Sequence, residues 1–259
     1  MKKFLKTEQV LLYYVIAVGL SMFFRVPQLN PEWYINLQNY NYGWILISLL
    51  RASGPLVGGI LCINLFRNRY NRLITLTGRT LAGSAIYFGA PVLLIAILGI
   101  NSSGASNSHL FGLLSGLTIL LYCLFEEMGW RGFLQDAMRG VPNPYRFIVI
   151  GTLWYLWHLN FLSPELHSLK FGLLFHLPSC IFGSWIIGFL ADKYKSIMVA
   201  AAIHSIFNIF FDLQTDIKSK LFIVAGVLLI WMTSSYILDK LSEPMKEAIT
   251  EGDNQKKHI

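Results

Sequence analysis

Charge is what this sequence has least of: only 14% of its 259 residues are Asp, Glu, Lys or Arg, 54% are hydrophobic, and the mean hydropathy is +0.52. About a quarter of an average soluble domain is charged, so a water-soluble fold is excluded. Cysteine is scarce as well. Cys62, Cys123 and Cys180 are odd in number, lie inside apolar runs and lack C-x-x-C spacing. Neither a disulfide framework nor a thiolate zinc site is expected from them, and packing or lipid contact is their assigned role. No H-E-x-x-H pair, no internal repeat and no low-complexity segment is present. A continuous basic stripe is missing too: despite a net charge of +7 and a pI near 9.3, Lys and Arg sit in short joints between apolar runs. Nucleic acid is therefore not an expected partner. No small-x-small cleavage site follows the first apolar run, which Phe23, Phe24 and Arg25 close, so that run is read as a retained span.

What is abundant is apolar sequence in runs of roughly 17 to 25 residues, the length that crosses a bilayer's hydrocarbon. Spans are expected at 9–25, 43–66, 81–100, 110–127, 145–162, 171–190, 196–211 and 221–238. This predicts an all-α, polytopic membrane bundle of about eight transmembrane helices in a single domain over 1–259, solvated by lipid. Turn and cap chemistry marks the joints at Asn30-Pro31, 101–104, Pro142-Asn143-Pro144, Ser163-Pro164 and Asp192-Lys193. Residues 241–259 read as a polar, partly disordered cytoplasmic tail. With the N-terminus inside, 16 of the 21 Lys and Arg fall on the cytoplasmic side, as the positive-inside rule requires. A multi-pass protein of the cell membrane with both termini cytoplasmic is the expectation.

Strongly polar groups at membrane depth cost several kcal/mol unless paired or wetted, which makes them functional candidates. Three clusters qualify. Glu126-Glu127-Met128-Gly129-Trp130-Arg131 ends the fourth span; Glu127 and Arg131 are four apart, in the favourable order for a helical ion pair, while Glu126 points about 100° away with its carboxylate free. Trp154-Tyr155-Leu156-Trp157-His158 carries a histidine deep in the fifth span. His204 and Asn208 lie one turn apart on one face of the seventh. Taken singly, these are also explained as a salt-bridged helix end, a packing histidine and interhelical glue. Taken together, they supply what amide hydrolysis needs: a carboxylate to accept a proton from water, a neutral imidazole to orient that water, and donors for an oxyanion. Glu126, His158, and His204 with Asn208 fit those three tasks.

At this point the chain resembles the CPBP or Abi group, which includes the type II CAAX prenyl endopeptidase and carries Glu-Glu-x-x-x-Arg, Phe-x-x-x-His and His-x-x-x-Asn motifs on separate helices. Here they read Glu126 to Arg131, Trp154 to His158 and His204 to Asn208, in the family order, within a core of about 80–212. Trp154 replaces the frequent Phe, an exchange that keeps the aromatic packing and alters pocket volume. The resemblance implies an intramembrane endopeptidase in which Glu126 and His158 activate water. His204 and Asn208 would form the oxyanion site, with Glu127, Arg131 and Trp154 supporting it. The substrate implied is a membrane-associated, exported or lipidated peptide. The family has been described both as metalloproteases and as glutamate-dependent enzymes; the preferred reading needs no cofactor, and the alternative places zinc on Glu126, His158 and His204.

Several residues stay outside this set. Arg51 is read as snorkelling toward the interface or pairing with a helix end, and His176, followed by Pro178, as a helix-kink neighbour, with lining of the substrate path as the lesser alternative. His109, His167 and His258 receive no role. A catalytic cavity open to the cytoplasm is expected. The competing functions are a non-catalytic membrane binding or immunity protein with the same fold, and a small-solute transporter. The transporter would require inverted repeats and spans broken at mid-membrane, neither of which is visible.

Overall fold

Lipid offers no hydrogen bonds to an exposed backbone, so a chain this apolar must satisfy its amides within helices. The computed structural model describes residues 7–69, 71–101, 106–159 and 172–256. Among them are ten α-helices: α1 (Thr7–Arg25), the short α2 (Glu32–Asn36), α3 (Gly43–Arg51), α4 (Ser53–Leu65), α5 (Leu81–Leu98), α6 (Ser108–Gly129), α7 (Asn143–Trp157), α8 (Leu177–Tyr194), α9 (Ile197–Phe211) and α10 (Ile217–Lys256). π-helical turns extend α6 through Trp130–Gln135 and lead into α8 at Gly172–His176. The polytopic all-α bundle is as expected, and each of the eight apolar runs contains helix. Ser163-Pro164, most of the 101–104 joint, His167 and His258 lie outside the described residues.

Two corrections concern length and continuity. Five helical stretches are long and apolar enough to cross a membrane, or six if α3 and α4 count as one bent span. Of the remaining expected spans, α7 and α9 have only 15 residues each, about 22 Å against a hydrocarbon layer of about 30 Å. The 43–66 run is broken at Ala52, where α3 and α4 meet at 47°. Pro55 explains the break: its ring clashes with the carbonyl four residues back, that of Arg51. That freed carbonyl accepts a hydrogen bond from Arg25 Nε at 3.1 Å. A broken span is thus present after all. The last helix, α10, runs on past Leu241 to Lys256.

The helix α9 forms the centre of the bundle. Its alanine-rich first half is buried nearly all round, from Ile197 to Ser205, and it packs on α5, α6 and α8. Ser196 caps it, accepting from Val199 N at 3.2 Å, while Asn107 caps α6 by accepting from His109 N and Leu110 N. Around this centre α1 packs on α4, α7 on α8, and α10 on α5. Small residues let the helices approach closely, as is usual where no hydrophobic force separates helix from lipid. A Cβ on Gly59 would lie 2.9 Å from Gly129 Cα, and one on Gly129 would strike Tyr13 Oη and Pro55 O.

On the side where α1 begins, a polar layer closes the bundle. Asp136 accepts from Leu73 N and Ile74 N at 2.6 and 2.8 Å, and Thr75 pairs with the 195–197 segment. Asp192 binds Arg139 and Arg146 at 2.7 and 2.6 Å. Asp192 and Lys193 belong to the last turn of α8, and the chain reverses one step later at Lys195, whose φ is 57°.

Candidate active site

A carboxylate on a buried helix face must find donors, and the two adjacent acids of α6 find them in different directions. Glu127, fully buried, faces the interior of the bundle. Its Oε1 accepts from Arg131 Nη1 at 2.8 Å and from His204 Nδ1 at 2.9 Å, and Arg131 Nη1 is also 2.8 Å from Oε2. The i,i+4 ion pair anticipated from spacing is therefore present. An ionised carboxylate can only accept, so Nδ1 of His204 carries the proton and Nε2 is left as the other ring nitrogen. Glu127 thus fixes the tautomer and orientation of the α9 histidine.

Glu126 faces the other way, as the 100° offset predicts, but its carboxylate is not free. Oε2 accepts the indole N–H of Trp154 at 2.7 Å, a donor that phenylalanine would lack. Oε1 is buried without a hydrogen-bond partner among the described residues, and Arg25 Nη2 is 3.9 Å away. Arg25, at the end of α1, also donates to Tyr122 Oη at 2.7 Å and stacks 3.7 Å from the ring centroid of Trp157. Read in the sequence as the residue closing a span, this arginine is part of the site's electrostatics. Arg51 is exposed and meets a helix end, its Nε 3.4 Å from Phe24 O in the last turn of α1 and 3.1 Å from Tyr34 Oη.

The imidazole of His158 caps the end of α7. Its Nδ1 lies 2.8 Å from the carbonyl oxygen of Trp154, so this nitrogen donates and Nε2 becomes the acceptor. The ring meets Trp157 and His176 edge to face, with centroids 5.1 and 4.8 Å away. Trp154 contacts His158 and His204 alike, at 5.7 and 4.9 Å between centroids. Asn208, one turn beyond His204, has Nδ2 3.5 Å from Cys123 Sγ.

These groups border one cavity of about 1030 Å³, whose lining includes Glu126, Trp154, His158, His204 and Asn208. Glu127 and Arg131 stand behind the wall. Arg25, Tyr122, His176 and Cys180 also line it, none of them expected there on more than slight grounds. The mouth is formed by Asn41, Tyr42, Ser106, Asn107 and Gln214. It opens at the end of the bundle where α1 finishes and α6 begins, opposite the face on which Arg69 meets Glu8 at 3.6 Å.

Among the described residues, the group of three metal-ligand types with atoms within 4.8 Å of one another is His158, His176 and Cys180. Of the alternative zinc set, Glu126 Oε2 accepts from Trp154 and His204 Nδ1 pairs with Glu127.

Residues 108–210, from the first residue of α6 to the last turn of α9, match the family model described as type II CAAX prenyl endopeptidase Rce1-like. Over 193 residues the chain is 28% identical to a protein of Methanococcus maripaludis named CAAX prenyl protease 2, covering 68% of this chain and 71% of that relative. The matched segment holds all three motifs on the helices that surround the cavity. Over that segment the chain is similar to the Rce1-like type II CAAX prenyl endopeptidases.

Proposed function

We propose that this protein is an intramembrane endopeptidase that hydrolyses a peptide bond with a water activated by Glu126. The reading is carried by one observation: Glu126, His158, His204 and Asn208, far apart in sequence, border a single cavity within an otherwise apolar bundle. Glu126 Oε1 takes the proton of the attacking water, and His158 Nε2 accepts from and orients that water. His204 acts here as the imidazolium: its Nδ1–H stays on Glu127, and its Nε2–H joins Asn208 Nδ2 as donor to the oxyanion that forms at the scissile carbonyl. Proton transfer from Glu126 to the departing amine completes the cycle. Since Glu126 has no exposed surface, the Arg25 guanidinium shifts to admit the water.

The substrate is a membrane-associated, exported or lipidated peptide that enters in extended form. The match to the family model and the relative's name support the peptide substrate, and the breadth of the cavity suits a chain with an apolar attachment. The excess of basic residues on the α1-start face assigns both termini to the cytoplasm, so the mouth receives substrate from the outer side. The activity requires no metal in this reading. Membranes carrying the wild type yield a peptide product that persists in chelator, and Glu126→Gln at equal expression yields none. Equal product from Glu126→Gln would return the chain to a binding or immunity role.

A further inference from the structure

The cavity wall holds a cluster of which the hydrolytic scheme uses only one member, His158. His176 and Cys180 are four residues apart on one helical face where the π turn enters α8, and His158 approaches them from the end of α7. One ligand atom from each lies within 4.8 Å of the others, and all three residues line the cavity. We propose that His158, His176 and Cys180 form a binding site for a thiophilic divalent ion of the zinc class, with its fourth position open to the cavity.

The chemistry of the donors selects the ion. Two imidazoles and a thiol suit zinc, cobalt(II) or copper and are poor ligands for magnesium or calcium. Bonds of about 2.0 to 2.3 Å would draw the three atoms together by roughly 1 Å, a movement within the reach of side-chain torsions. His158 is already prepared: its Nδ1–H is held by the Trp154 carbonyl at 2.8 Å, the outer-shell contact that sets the tautomer of a metal-bound histidine and presents Nε2. Cys180 is 4% exposed and would bind as thiolate, releasing its proton to solvent as the ion enters. The open fourth position would take water or a peptide carbonyl. Ion binding claims the same His158 Nε2 that the hydrolytic scheme gives to water, so zinc would inhibit hydrolysis while binding independently of it.

The test uses the full-length protein in lipid nanodiscs, stripped with chelator and titrated with Co²⁺. The expected result is a thiolate-to-cobalt charge-transfer band with visible bands of a tetrahedral ion, saturating at one equivalent and bleached by Zn²⁺. Cys180→Ser should lose the charge-transfer band, Cys180→His should keep the tetrahedral bands without it, and Cys62→Ser should match the wild type. No charge-transfer band in the wild type, or one that survives in Cys180→Ser, would overturn the site. Both readouts are blind to peptidase activity, so a failed site and a failed hydrolase are distinguishable.

Discussion

Replacing Trp154 with phenylalanine removes one N–H and little else, and that N–H donates to the Glu126 carboxylate at 2.7 Å. A hydrogen bond to a charged group contributes about 1.5 to 3 kcal/mol. Trp154→Phe is therefore expected to lower kcat about tenfold to a hundredfold with KM nearly unchanged, measured on a peptide substrate, with the melting temperature held as a control for packing. At this scale the sequence was informative wherever a polar group interrupts an apolar span: Glu126, His158, His204 and Asn208 stood out for that reason, and all four border the cavity. Arg25 did not, because an arginine at the end of a span has the pattern of an interfacial anchor. The Trp154 N–H was missed because an indole in an apolar helix reads as packing, and its donor matters only once the facing helix is known.

Among the elements, α4 and α6 cross in close contact, with Gly59 and Gly129 set back to back beneath Tyr13. Gly129→Ala forces a methyl into Pro55 O and Tyr13 Oη, and such overpacking destabilises by about 1 to 3 kcal/mol. Gly89→Ala on α5, where an added Cβ meets nothing within 4 Å, should be neutral or stabilising by up to about 1 kcal/mol. Thermal unfolding of the two variants in detergent checks the contrast; equal losses would show that helix flexibility, not contact, governs both positions. The elements themselves were legible because bilayer thickness imposes a length on apolar runs. The break at Ala52 was not, since a hydropathy window averages over 18 or more residues and is blind to backbone direction, although Ser53-Gly54-Pro55 marks the place in retrospect.

For the whole molecule, the side on which the cavity opens is the main consequence of the architecture. A cysteine at Gln214, exposed at the mouth, should react with a membrane-impermeant maleimide in intact cells, whereas one at Asn71, exposed on the α1-start face, should react only after permeabilisation. The native Cys62, Cys123 and Cys180 are buried and serve as a silent background. The reverse pattern would put the mouth in the cytoplasm and invert the charge rule. Sequence located the basic excess well, even though Arg131, counted with the inner loops, is fully buried. It could not locate the mouth, because that depends on which helix ends splay apart, a property of packing among distant segments.

Arg25, Glu126, Glu127 and Arg131 have one further consequence. Two anions and two cations sit within the protein interior, the cations 3.9 and 2.8 Å from their respective carboxylates, so the quartet is electroneutral. Glu126→Gln deletes the base of the proposed hydrolysis and also strands one positive charge in a low-dielectric medium, a penalty of a few kcal/mol. Pairing it with Arg25→Gln should recover the lost melting temperature and leave hydrolysis abolished, which separates the acid's chemical role from its place in a balanced interior.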